Sequence, residues 1–111
     1  MNDDRRFPHQ KLDAYKLSIR LCEVVHAAKI TNPTLRDQAE RAAISTFLAL
    51  NEGLPHSGAK MRRVYFERAK ASLCELVGAM DLAARLGAVR DASEAEALAR
   101  RVGAILVGLL R

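Results

Sequence analysis

Residues 66–83 read FERAKASLCELVGAMDLA, and their apolar positions decide the fold. These positions recur at alternating steps of three and four, the spacing that lines one face of an α-helix packed against other helices. They are Phe66, Ala69, Leu73, Leu76, Met80 and Ala83. Gly87 follows as a left-handed stop, so the pattern predicts a helix over residues 58–86. At about 1.5 Å per residue this helix would be longer than its neighbours, and we expect its first turns to overhang them.

Two helices are expected before this long one. Spacing of the same kind at Leu12, Tyr15 and Ile19 predicts a helix over residues 11–29, after an N-terminal arm at residues 1–10. Either Asn32 or Thr34 is expected to cap a second helix over residues 34–52.

Two turns complete the expected architecture. Gly53, followed by Pro55, is expected to end the second helix with a positive φ. Ser57 is a candidate cap for the long helix, and Ser93 with Glu96 forms the pattern of a capping box for a fourth helix over residues 93–110.

The composition agrees with helices alone. Half of the 111 residues are apolar, yet only two are Tyr, three are Phe and none is Trp. An aromatic-poor chain whose three prolines fall in expected loops is typical of the all-α class. The sequence therefore predicts one domain, an all-α, antiparallel up-and-down four-helix bundle over residues 11–111.

Two uncharged runs, residues 42–50 and 102–110, indicate where the surface is unusually apolar. Each is far shorter than the roughly 20 residues that span a bilayer, and no apolar leader follows the charged first residues. We therefore expect a soluble, cytoplasmic protein with no membrane partner. A helix that is apolar all round needs more cover than one chain supplies, so the runs predict a ring-like homo-oligomer. Its expected interface residues are Ile44, Phe47, Leu48, Val102 and Leu109.

No catalytic, cofactor-binding or metal-binding residue is predicted. Cys22 and Cys74 are expected to be buried free thiols, and His26 is expected at the edge of the core, bonded to a carbonyl oxygen. CxxCH and glycine-rich phosphate-loop patterns are missing from the sequence. Glu-x-x-His occurs once, at residues 23–26, whereas a ferritin-like di-iron site needs it on two helices. These observations predict a protein that is not an enzyme.

One acidic residue is expected inside the packing. Glu75 falls on a second helical stripe beside the first, which predicts a carboxylate at a packed seam. A buried acid requires a partner, and Arg41 of the second helix is the candidate.

A basic cluster opens the long helix. Lys60, Arg62, Arg63 and Arg68 outnumber the single acid Glu67, and the positive end of the helix dipole adds to their charge. With a net charge of +5 for the chain, the cluster predicts binding to the phosphate backbone of RNA or DNA. The alternatives are a solvated basic face, or a scaffold in which the same residues pair with acids of another protein.

Several segments together resemble a known family. They are HQKLDAY at 9–15, LRDQ at 35–38, RAA at 41–43, Ser45, NEG at 51–53 and RAKASLCEL at 68–76. In combination they resemble the bacterial four-helix bundle family linked to 23S ribosomal RNA intervening sequences. That family is similar to the accessory variability proteins of diversity-generating retroelements.

The resemblance implies an antiparallel four-helix bundle assembled as a pentamer with a basic surface. It also implies nucleic acid as a partner and, as in the retroelement relatives, a reverse transcriptase. The sequence departs from the family pattern at two places. The usual Ile-Ala spacing between Asn51 and Glu52 is missing, and Leu-Pro-His at 54–56 replaces the small or basic residues that are common after the glycine.

Overall fold

The computed structural model describes the backbone of residues 9–111 and the side chains from residue 11 onward. Within this part of the chain the structure is all-α, as predicted, with four helices and no strand. They are α1 (His9–Ala27), α2 (Pro33–Gly53), α3 (Ala59–Arg85) and α4 (Ser93–Leu109). Residues 9 and 10 of the predicted arm thus belong to α1, and the rest of that arm lies outside the described residues.

The four helices surround one core. α2 packs against α1 and α3, and α4 packs against the same two helices, whereas within the described residues the backbones of α1 and α3, and those of α2 and α4, do not approach each other closely. Apolar side chains from all four helices and from the loops meet between them. The largest fully buried ones are Phe66, Leu21, Ile30, Leu50, Leu76, Met80 and Leu106. The periodic stripe of α3 is buried as its spacing predicts.

Small side chains bring α2 and α3 close together. α2 buries Ala42, Ala49 and Gly53, and α3 buries Ala69 and Ala79. The helix–helix contact between α2 and α3 is the most extensive in the molecule. Small residues let two helix backbones approach closely, which agrees with the extent of this contact.

Gly53 is needed for a reason that the sequence did not indicate. It is the last residue of α2 and does not have the positive φ that we expected; among the described glycines only Gly87 does, with a φ of 70°. A Cβ on Gly53 would lie 2.8 Å from Cε1 of Phe66 and 2.9 Å from Cβ of Tyr65. The close approach of α3, rather than the backbone conformation, therefore requires glycine here.

Polar groups fix the loop between α1 and α2. Asn32 caps α2, since its Oδ1 accepts a hydrogen bond from the N–H of Leu35 at 3.0 Å, with Pro33 as the first helical residue. The N–H and the hydroxyl of Thr31 both donate to the carbonyl of Ala88, at 2.8 and 3.2 Å. This loop is thereby tied to the loop between α3 and α4.

Two predicted caps are wrong. The residue before α3 is Gly58, and no side chain caps that helix, so Ser57 has no such role. Ser93 is the first residue of α4 and not its cap. The N-cap position is occupied by Ala92, whose side chain makes no capping hydrogen bond. One residue earlier, Oδ1 of Asp91 accepts hydrogen bonds from the N–H and the hydroxyl of Ser93 at 2.9 and 2.7 Å. Both hydrogen bonds stabilise the charged form and lower the pKa of Asp91.

One hydrogen bond joins the start of α3 to the end of α4. Arg63, in the second turn of α3, donates from Nη1 to the carbonyl of Leu110 at 2.8 Å. The end of α4 therefore lies within reach of a side chain from the first turns of α3. Separately, none of the helices within residues 9–111 has both the length and the apolar character needed to cross a bilayer.

Candidate functional site

Helix geometry separates one of the four predicted cations from the other three. Successive residues of an α-helix turn by about 100°, so Arg62 projects roughly 160° away from Lys60 and roughly 120° away from Arg68. Accordingly, Arg62 is half-buried, whereas Lys60, Arg63 and Arg68 are exposed. These three exposed cations line one open pocket on α3, together with Val64, Glu67 and Ala71.

Two of the four cations bind carbonyl oxygens of the chain itself. Arg62 donates from Nη1 to the carbonyl of His56 at 3.0 Å, which fastens the loop between α2 and α3 to the helix. Arg63, besides its hydrogen bond to Leu110, lies 3.6 Å from a carboxylate oxygen of Glu67. Arg62 and Arg63 thus have partners in the chain, whereas Lys60 and Arg68 are exposed and form no ion pair among the described residues.

The aromatic rings beside this cluster are already in contact with other groups. The Tyr65 ring lies 5.7 Å from the ring of His56, centroid to centroid, and the Arg68 guanidinium carbon lies 5.5 Å from the Tyr65 centroid. Phe66 is only 1% exposed. Neither Tyr65 nor Phe66 therefore offers a free ring for stacking on a base, which leaves backbone contacts as the chemistry available here.

A different surface stands out in the structure. Large apolar side chains of α1 and α2 lie partly exposed side by side, and we call them the apolar face: Leu12, Tyr15, Ile19, Ile44, Phe47 and Leu48. The rings of Tyr15 and Phe47 lie 5.8 Å apart, centroid to centroid, and join the two helices across it. Ile44 is 51% exposed and Leu48 is 52% exposed. Such a contiguous patch is typical of a surface that binds a partner.

The two interface residues that we predicted on α4 do not belong to such a surface. Val102 is fully buried, and Leu109 is half-buried and packs against the core. The prediction is wrong for Val102 because the uncharged run of α4 contributes its core face, which also carries Leu98 and Leu106. Absence of charge in a run does not indicate which of its sides meets solvent.

The predicted buried pair of Glu75 and Arg41 is also wrong. Glu75 is exposed, and Arg41 is exposed and forms an ion pair with Asp37 at 3.4 Å. The second stripe of α3 is only partly covered, since Ala79 on this stripe is buried but Leu82 and Leu86 are 46% and 62% exposed. The buried width of α3 is therefore narrower than two adjacent stripes.

The predicted environments of three further side chains need correction. Cys74 is exposed and Cys22 is half-buried, and both are free thiols. Cys22 donates from Sγ to the carbonyl of Ala43 at 3.3 Å; burial, and then the charge of Glu23, raise the pKa of this thiol. His26 is exposed, and its Nδ1 lies 3.2 Å from Oε2 of Glu40. Its partner is therefore a carboxylate and not the carbonyl oxygen that we expected. No group of three or more potential metal ligands occurs among residues 11–111.

The model of one family matches almost the whole described chain. Its description is "23S rRNA-intervening sequence protein", and the match covers residues 10–108. The chain belongs to this family. Among curated proteins, none matches the chain.

In this member of the 23S rRNA-intervening sequence protein family, the Asn-Glu-Gly segment has two structural roles. Gly53 admits the aromatic residues of α3, as described above. Asn51 donates from Nδ2 to the carbonyl of Phe47 at 2.8 Å and to the hydroxyl of Ser18 at 3.3 Å. That hydroxyl donates in turn to the carbonyl of Ala14 at 2.7 Å. Sequence analysis missed this polar link between α1 and α2, because Ser18 and Asn51 are distant in the chain and no spacing rule joins them.

Proposed function

We propose that this member of the 23S rRNA-intervening sequence protein family is a non-enzymatic, self-assembling adaptor of the cytoplasm that binds RNA or DNA through the phosphate backbone. The observation that carries the proposal is the charge. The chain has 18 Lys and Arg against 13 Asp and Glu, and Lys60 and Arg68 are exposed at one end of the molecule. Attraction of this kind depends on phosphate charge and is independent of base sequence.

We further propose that copies associate through the apolar face. Its six large side chains are too many for a soluble monomer to leave together in water, and burying them against another copy removes them from it. We expect neighbouring helices in each copy to run antiparallel and the copies to form a closed ring. The family resemblance favours five subunits.

Nucleic-acid binding is tested with mixed-sequence RNA and duplex DNA at low salt. We expect binding that weakens steeply as the salt concentration rises. Reversing Lys60 and Arg68 to Glu should weaken it further than reversing Arg85 and Arg90, which changes the net charge equally at the loop between α3 and α4. Wild-type protein that binds neither polymer at low salt would contradict the proposal.

A second candidate function, a protein scaffold without nucleic-acid binding, is favoured by one observation. Arg62 and Arg63, half of the predicted cluster, already donate to carbonyls of the chain. A scaffold would assemble in the same way but would show no salt-dependent retention on RNA.

A further inference from the structure

A groove runs along the outer side of the contact between α1 and α4. It consists of two adjoining depressions of about 450 and 540 Å³ that share part of their lining. Lys16 and Arg101 stand at one depression, Arg111 stands at the other, and the shared residues are Asp13, Ala104 and Ile105. We call this feature the α1–α4 groove.

The side chains of α4 explain why the groove is open. Ala104 and Gly108 are exposed positions with little or no side chain, so α4 leaves room beside α1 along two of its turns. The floor is formed by the half-buried Leu17 and Ile105. Toward the start of α4, Arg20 of α1 and Glu94 of α4 form an ion pair of 3.1 Å.

Charge in the groove is mainly positive. Three cations, Lys16, Arg101 and Arg111, surround one acid, Asp13. In the part of the chain that the structure describes, neither Lys16 nor Arg101 forms an ion pair. Cations beside an apolar floor keep more of their field than cations surrounded by water, because the low-dielectric wall screens them less.

We propose that the α1–α4 groove binds the phosphodiester backbone of a nucleic acid. The proposal rests on the proposed function and gives it a site that the sequence did not indicate. Ten residues separate Arg101 from Arg111, which corresponds to about 15 Å along a helix. One strand of a duplex carries a phosphate for about every 3.4 Å of axis, so the groove is long enough to contact more than one phosphate of a strand.

The lining favours a phosphate backbone over a specific ligand. No aromatic ring is among the residues that line it, and its polar groups are charged side chains and not fixed amide donors. Point charges on flexible side chains attract phosphates without reading bases. The groove lies on the side of α1 that faces α4, and the apolar face lies on the α2 side. The two surfaces adjoin at Lys16, which is one helical turn from Leu12 and Ile19.

Neutralising the groove tests the proposal. We expect the double variant Lys16→Gln and Arg101→Gln to bind a mixed-sequence RNA duplex several-fold more weakly than wild type. The slope of log K against log salt should fall by roughly 1.4 to 1.8, at about 0.7 to 0.9 for each phosphate contact. The matched control, Arg85→Gln with Arg90→Gln, removes the same charge elsewhere and should leave both quantities almost unchanged.

A variant that is expected to strengthen RNA binding distinguishes an effect of groove charge from loss of binding through misfolding. Asp13→Asn removes the only acid of the groove and should strengthen RNA binding, whereas Asp81→Asn, with the same charge change on α3, should not. If wild type binds RNA and the groove variants behave like their controls, the inference is overturned while the proposed function stands. If wild type does not bind at all, the proposed function itself fails. Loss of binding to poly-glutamate with RNA binding unchanged would assign the groove to an acidic protein and overturn the proposal.

Discussion

Gly53 and Phe66 lie so close together that a single added methyl group would not fit between them. The missing Cβ would be 2.8 Å from the Phe66 ring, and Phe66 is itself fully buried. The contact joins the end of α2 to the second turn of α3. These two helices have the most extensive contact in the molecule and follow one another in the chain.

Substitution of this glycine should destabilise the protein. Gly53→Ala forces Phe66 or α3 to shift, and overpacking of this kind costs about 1–3 kcal/mol. The matched control is Gly78→Ala in the middle of α3, where no atom lies within 4 Å of the added Cβ; alanine there should stabilise the helix by up to about 1 kcal/mol. Chemical denaturation of both variants measures the difference. Equal effects in both would contradict the steric explanation.

A charge on the apolar face should disrupt assembly. We expect Ile44→Asp to convert the assembled wild type into monomer or aggregate, because a carboxylate cannot be buried there without a partner. Val77→Asp is the control, since Val77 is also about as exposed, at 44%, but lies on α3. Light scattering at micromolar concentration reports the mass. A wild-type species of 12.2 kDa, the mass of one chain, would show that the apolar face does not mediate self-association.

Glu75 should be replaceable. Because its side chain is exposed, Glu75→Ala should change the free energy of unfolding by no more than about 0.5 kcal/mol. The neighbouring residue supplies the control: Leu76 is 1% exposed, and Leu76→Ala should cost about 2–5 kcal/mol. Thermal melts of the two variants test this directly. A large loss of stability for Glu75→Ala would contradict the exposed position of Glu75 and support the buried ion pair with Arg41.

The hydrogen bonds from Ser93 to Asp91 should give a pH-dependent contribution to stability. Hydrogen bonds from Ser93 hold the pKa of Asp91 below its ordinary value of 3.8, so the carboxylate stabilises the folded state above that value and this contribution is lost as the pH falls through the folded pKa. Asp91→Ala should therefore be less stable than wild type at pH 7, and the gap should close below about pH 3.8. Ser93→Ala removes only the hydroxyl donor and should show a smaller gap. A gap that is independent of pH would rule out this role for the charge.

Periodicity predicted the core well but not the polar surfaces. The stripe of α3 is buried because a regular apolar spacing leaves a helix one stable orientation. The predictions that Glu75 is buried and that Val102 lies at an interface are wrong for a common reason. A helical pattern shows which residues share a side of the helix, but only the neighbouring helices decide which of two adjacent sides is covered. At the start of α4, Ser93 was predicted as the cap, but it is the first residue of the helix and donates its hydrogen bonds to Asp91.

The surfaces between helices were out of reach for sequence analysis. Lys16 and Arg101 lie 85 residues apart in the chain, and no spacing rule joins them until α1 and α4 are packed together. The apolar face is an intermediate case. Ile44, Phe47 and Leu48 were predicted from the uncharged run of α2, whereas the contribution of Tyr15 from α1 follows only from the contact between its ring and Phe47.

The hydrogen bonds from Thr31 to Ala88 have a consequence for how the molecule opens. The amide of Thr31 lies in a loop, yet its acceptor is 57 residues away, in the loop that joins the other two helices. Exchange of this amide proton with solvent requires the two loops to separate. We therefore expect the amide proton of Thr31 to exchange as slowly as the amide protons of the core helices. Its exchange rate would then report whether the pair α1 and α2 separates from the pair α3 and α4 in one cooperative step.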